Sequence, residues 1–219
     1  LWIVIILIII AGGFIAFNTG APDDVEQAIV SDIADKDDMA STTSDFQIEN
    51  LQEKISSLDL SAIDLMFTGY GPGKSHEGKF EKYSVKDITI ENDMITGGVI
   101  VFDLTSVSTG IDKLNSHLCT DEFFGCEAHP EATFTFGSAK RIDNTTLEVS
   151  GTFGMKGVSK NITFNVKQQD NVYTADFLLN TSEFDFNVAL ADSDVRINFT
   201  ITLPEVEVME EKEEADLME

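Results

Sequence analysis

Two histidines, two cysteines and a pair of adjacent carboxylates fall within one polar stretch, His117 to Pro130, which reads His-Leu-Cys-Thr-Asp-Glu-Phe-Phe-Gly-Cys-Glu-Ala-His-Pro. Cys119 and Cys126 are the only thiols, with six residues between them. They admit three readings. One is a disulfide pinning the loop, as suits an extracytoplasmic domain. Another is a zinc site completed by His117 and His129, although His-x-Cys and Cys-x-x-His is a loose spacing for a zinc module. The third is two unlinked core residues. The disulfide is the favoured reading, and no metal site is assigned. Asp121 and Glu122 are neighbours, so on extended backbone they point to opposite faces and do not form an acid–base pair. They read as solvated loop charges, and His117 as a structural hydrogen-bonding residue. The Gly-x-Ser-x-Gly, His-Glu-x-x-His and phosphate-loop patterns are absent. Three histidines in the whole chain leave few general bases. No catalytic residue and no cofactor is assigned, and the chain is not read as an enzyme.

The elements around this stretch must place it. From about residue 61 the apolar residues recur with a period of two. The runs are Ile63 to Phe67, Phe80 to Ile90, Ile95 to Leu104, Ala132 to Phe136, Leu147 to Met155, Ile162 to Val166, Tyr173 to Leu179 and Val195 to Leu203. Short turn sequences separate them, among them a glycine-rich turn over Gly69 to Gly78. Eight short strands with hairpin-sized connections describe an antiparallel meander with one buried face. Closing such a sheet into a barrel removes its aggregation-prone edges. The exception is the connection from Ser106 to Glu131, which at roughly 25 residues exceeds a hairpin loop. It reads as a flap with a short helix over Ile111 to Leu118 and a Phe123-Phe124 corner.

The same residues carry a resemblance. His117-Leu118, Asp121-Glu122-Phe123-Phe124, Pro130 and Ala132-Thr133-Phe134 resemble the first motif of the YceI family. Val149 to Lys160, ending Gly157-Val158-Ser159-Lys160, is similar to its second motif. Gly97 to Gly110 resembles the strand and Ser/Thr turn that precede the first. The resemblance covers roughly residues 60–204 and departs at Leu114-Asn115 and Thr181-Ser182-Glu183-Phe184. It implies an eight-stranded antiparallel lipocalin-like barrel that binds polyisoprenoid or other lipid-like chains. About eight strands is also the size at which a barrel interior can hold one small ligand. Phe67, Val99, Val101, Phe123, Phe124, Phe134, Phe136, Phe153, Phe164, Phe177, Leu179 and Phe199 are the candidate lining. Alternation alone is equally consistent with side chains that fill the interior. The resemblance favours a cavity, open to an apolar lipid or quinone-like molecule.

Outside that region the chain changes character. Residues 1–17 contain no charge, close to the lower length limit of about 17 for a membrane span. They read as a transmembrane anchor (1–20), with a cleaved signal peptide as the rival. The acidic flank Pro22-Asp23-Asp24 suits the outer side. Residues 21–59 read as an acidic linker. A helix within it, from about 45 to 57, is announced by the capping box Ser44-Asp45-Phe46-Gln47 and by Ile48, Leu51, Ile55 and Leu58. Residues 205–219 read as an acidic, disordered tail.

The formal net charge is -25. That excludes the positive footprint nucleic acid needs and disfavours anionic membrane surfaces. Sixteen Phe against one Trp and three Tyr favour a dry interior. The reading is therefore a membrane-tethered barrel, facing the periplasm or cell exterior, that sequesters or carries an isoprenoid-like or fatty lipid. An enzyme on a lipid head group and a solid structural module are the alternatives. The oligomeric state is not assigned.

Overall fold

The computed structural model describes residues 20–33, 63–91, 94–186, 188 and 191–204. Residues 1–19 of the expected anchor (1–20), the helix over 45–57 and the tail from 205 lie outside the described residues. No helix among those described is long and apolar enough to cross a membrane.

The described chain is almost wholly antiparallel sheet. In order it forms β1 (Ile29–Ser31), β2 (Ile63–Gly71), β3 (Lys74–Phe80), β4 (Tyr83–Glu91), β5 (Met94–Asp103), β6 (Val107–Ser108), helix α1 (Asp112–Leu118), β7 (Glu131–Arg141), β8 (Thr146–Met155), β9 (Val158–Gln169), β10 (Val172–Asn180) and β11 (Asp194–Thr202). The order across the sheet is β4-β5-β7-β8-β9-β10-β11-β2-β3-β6, with β1 added against β9. The sheet curls on itself, and its two ends meet in one stretch of chain. β3 pairs with β2, and β4, two residues later, pairs with β5. The kink between them stays hydrogen-bonded. Asp103 N–H donates to Lys82 O (3.0 Å) and Glu81 N–H to Ser106 O (3.1 Å). On the partner side the extra residues loop out as a 3-10 turn, Leu104–Ser106, capped by the Asp103 carboxylate on Thr105 N–H (2.9 Å).

Eleven strands among the described residues replace the eight expected, for three reasons. The run expected from Phe80 breaks at Glu81-Lys82, and β5 and β6 are separated by the 3-10 turn. The glycine-rich stretch expected as a turn is itself strand, and only Pro72-Gly73 turns, with Gly73 at φ 78. Gly78 lies opposite Phe67, and a Cβ there would come within 2.4 Å of the Phe67 ring. A strand glycine of this kind marks a close approach rather than a turn.

The third difference is β1, in a segment expected as linker. The β9–β10 ladder holds for three register pairs, Val172↔Gln169 to Thr174↔Lys167, and then parts. The N-terminal segment fills the gap. Leu178 N–H donates to Glu26 O and Ala28 N–H to Leu178 O, both at 2.8 Å, while Ile29 to Ser31 pair with Thr163 to Asn161 of β9. Ala28 is 4% exposed and joins the core, and its neighbour Ile29 is 66% exposed, as alternation requires. Polar side chains fasten the insert: Asn165 Nδ2 donates to the Glu26 carboxylate (2.8 Å), Gln27 Nε2 to Asp194 Oδ1 (3.2 Å), and Lys160 pairs with Asp32 (2.5 Å).

Ala28→Pro deletes the donor to Leu178 O and leaves a buried acceptor unpaired, which costs about 1–3 kcal/mol. The measurement is denaturant unfolding combined with amide exchange. Leu178 is expected to lose protection while the β7–β8 ladder keeps its own. Unchanged Leu178 protection would contradict the insert.

Candidate functional site

The inner face of the curled sheet is apolar because each strand presents alternate residues to it. On β2 these are Ile63, Leu65 and Phe67, and on β11 Val195, Ile197, Phe199 and Ile201. They enclose a cavity of about 690 Å³. That volume falls within the roughly 300–1,000 Å³ of small-molecule sites. The interior is partly filled, by rings that touch one another. Phe164 stacks on Phe177 with centroids 4.5 Å apart, and Phe134 and Phe199 approach Phe164 at 5.9 and 6.1 Å. Phe153 meets Phe184 edge-on at 5.3 Å. The cavity is what these rings leave unfilled along the axis.

The flap closes one end with a single ring. Phe124 is 8% exposed and packs on Phe67, Phe80 and Phe186 at 6.0, 5.4 and 5.9 Å. The preceding polar stretch is a knot that holds it there. Phe124 N–H donates to Leu118 O (2.9 Å), Cys126 N–H to Cys119 O (3.1 Å), and a Cys119–Cys126 disulfide bridges the same positions. Gly125 takes φ 62, left-handed backbone that a glycine adopts without strain. The second ring of the pair, Phe123, turns to His117, 4.9 Å away edge-on. Lys156, which the sequence did not single out, ties the flap to the wall. Its ammonium donates to Asp121 O (2.9 Å) and Asp185 O (2.8 Å) and sits 5.0 Å over the Phe186 ring. The expected helix is α1, one residue shorter at its start. No group of three or more metal-binding side chains gathers among the described residues.

Of the twelve candidate lining residues, all but Val101 border the cavity. Val101 is 8% exposed but lies outside it, and Ile100 and Phe102 face inward instead. Val101 pairs with Ser84 and Thr133 in unbroken register and has the opposite parity to Ile100 and Phe102, so it takes the other face of the strand. Phe80, Tyr83 and Phe102 line the cavity without having been singled out. At the end away from the flap, Tyr173 borders it at 8% exposure, receives Gln168 Nε2 at 3.2 Å, and Gln168 in turn receives Arg141 (2.6 Å). Burial raises the Tyr173 phenol above its ordinary value, and the Arg141 charge offsets part of the rise.

Two outcomes follow. Phe124→Ala removes three ring contacts and costs about 3–5 kcal/mol in chemical unfolding. A loss below about 1 kcal/mol would mean the ring is not seated. Tyr173 keeps its proton more firmly when folded, so its contribution is fully present below the unfolded value near 10. It is lost as pH rises through the raised folded value. Melting temperature is expected to fall more steeply above about pH 10 in the parent than in Tyr173→Phe. Parallel curves would contradict the buried phenol.

The pattern of the YceI-like domain matches residues 38–203. Protein YceI of Escherichia coli O6:H1 is 30% identical over 98 residues, which are 45% of this chain and 48% of that protein. Protein YceI of Shigella flexneri gives the same figures. The chain thus spans about half the length of the curated relatives it matches. Among solved structures, Burkholderia cenocepacia BcnA superposes with a TM-score of 0.57 at 19% identity, over 66% of this chain and 98% of that one. A polyisoprenoid binding domain from Saccharophagus degradans gives 0.52 at 21%, over 67% and 97%. Both show the shared fold, and with the domain pattern matched over most of its length this chain belongs to the YceI-like domain family.

Proposed function

We propose that the chain is a binding protein that sequesters or carries one isoprenoid-like or fatty lipid, with the tail along the curled sheet's axis. The observation that carries this is the cavity of about 690 Å³, whose lining among the described residues includes only three ionisable side chains other than tyrosine, Lys74, His76 and Asp192. An apolar tail suffices as ligand. Each buried methylene contributes about 0.8 kcal/mol, so fifteen carbons contribute about 12 kcal/mol gross. Ordering and association cost several kcal/mol of that, which still leaves net binding. The Saccharophagus degradans neighbour is described as a polyisoprenoid binding domain, which agrees with this ligand class.

Taking β3–β4 and β5–β6 as interrupted single runs and β1 as an added insert, the wall is a closed, lipocalin-like barrel of eight. The uncharged residues 1–17 tether it to a membrane, with the barrel on the periplasmic or outer side, where the disulfide persists. The flap, with Phe124 as its plug, gates entry. The work of the protein is passive containment, and no side chain has a catalytic role.

Native mass spectrometry of the full chain tests this. A lipid-sized mass is expected that denaturing conditions release. Ile197 faces inward, in register with Phe177 on one side and Phe67 on the other. Ile197→Trp is expected to fill the lumen and abolish the added mass while circular dichroism stays that of sheet. No added mass after exposure to prenyl and fatty chains, or an adduct that survives the filling, would contradict the proposal.

A further inference from the structure

The two basic side chains among the described lining residues of the cavity are adjacent on one strand face. Lys74, His76, Gly78 and Phe80 alternate along β3, and their cross-strand partners on β2 include Gly71, Gly69 and Phe67. Phe67 and Phe80 are in ring contact (5.5 Å), which fixes this face as the inner one. Lys74 and His76 thus border the cavity two positions apart, about 7 Å along the strand. Their position beside the Pro72-Gly73 turn puts them at the rim on the flap side. A Cβ built on Gly69 or Gly71 would meet nothing within 4 Å, so the space opposite both side chains is open.

Neither side chain has a hydrogen bond or ion pair among the described residues. The carboxylate among the described lining residues, Asp192, is already engaged: it accepts Ala21 N–H and Asp194 N–H, both at 3.0 Å. In a chain with 39 acidic and 14 basic residues, a Lys-x-His pair with no partner among the described residues, at the rim of an apolar cavity, is out of character with the surface. A lipid whose tail lies along the axis places its head at such a rim.

We infer that Lys74 and His76 form a head-group site that selects an oxyanion, carboxylate or phosphate, on the lipid held in the lumen. This rests on the lipid-binding reading and adds the chemistry of the head. Lys74 supplies a point charge of the kind phosphate and carboxylate accept, and His76 a ring N–H donor. Charge-assisted hydrogen bonds are roughly twice as strong as neutral ones. The net charge of the chain does not defeat the site. Beyond about 8 Å exposed charges are screened at physiological salt, whereas the rim cation acts at contact.

The test compares heads on identical tails. Delipidated full chain is dialysed to equilibrium with farnesyl phosphate against farnesol, and with palmitate against hexadecanol. The parent protein is expected to bind at least one oxyanion about tenfold tighter than its own alcohol. Lys74→Met and the double variant Lys74→Met/His76→Leu are expected to bring that ratio to about one. Which pair shows the preference tells phosphate from carboxylate, and either supports the site. Alcohols bound as tightly as both oxyanions by the parent, or a preference surviving in the double variant, would overturn it while leaving the lumen reading intact. Failure of all four compounds to bind would overturn the lumen reading and this site with it.

Discussion

Everything in this molecule depends on keeping backbone hydrogen bonds paired in a wall that curves around an underfilled interior. A flat sheet would leave two open edges, whereas a curled one must find partners wherever its ladders diverge. The chain meets this twice. At the β3–β4 kink the partner strand loops out as a 3-10 turn, and the bonds from Glu81 and Asp103 bridge the irregularity. Where β9 and β10 part, the segment around Ala28 enters and satisfies both polar groups of Leu178. An unpaired buried amide or carbonyl costs about 1–3 kcal/mol, comparable to a fair fraction of a domain's net stability. The wall is therefore where the fold is most exposed to damage.

Inside the wall the governing effect is different. Phenylalanine fills space in large rigid units and meets its neighbours edge-on or stacked, so a ring of them does not collapse to a filled axis. Phe164 and Phe177 occupy the middle, and Phe124 occupies the flap end. What remains is a largely apolar cavity of about 690 Å³. The flap's polar residues serve that arrangement indirectly. The disulfide, the glycine at position 125 and the Lys156 bonds hold one ring in place, and the residues that first suggest chemistry act as scaffolding.

The parts of this legible in the sequence were those written in local periods. Alternation located the long strands from Ala132 onward and most of the lining, and the flap helix and cysteine pair were readable from spacing. The parts missed were non-local. β1 is three residues long and pairs with a strand more than a hundred positions away, so its sequence alone carries no signal. Gly69, Gly71 and Gly78 read as turn punctuation because their reason for being glycine, open space or an opposing ring, lies across the ladder. That misreading also hid Lys74 and His76, since residues in a supposed turn have no face. Val101 was misplaced by one residue of strand parity, because Ile100 and Phe102 take the inner face.

The central claim is that an acyl or prenyl tail lies among the axial phenylalanines. A stearate carrying a nitroxide at its tail end tests it most directly, read by paramagnetic broadening of assigned ring resonances. The account predicts broadening of Phe164, Phe177 and Phe199, removed when the nitroxide is reduced. Broadening confined to the outward-facing Ile29, Ile111 and Ile142, with the axial rings unaffected, would contradict it.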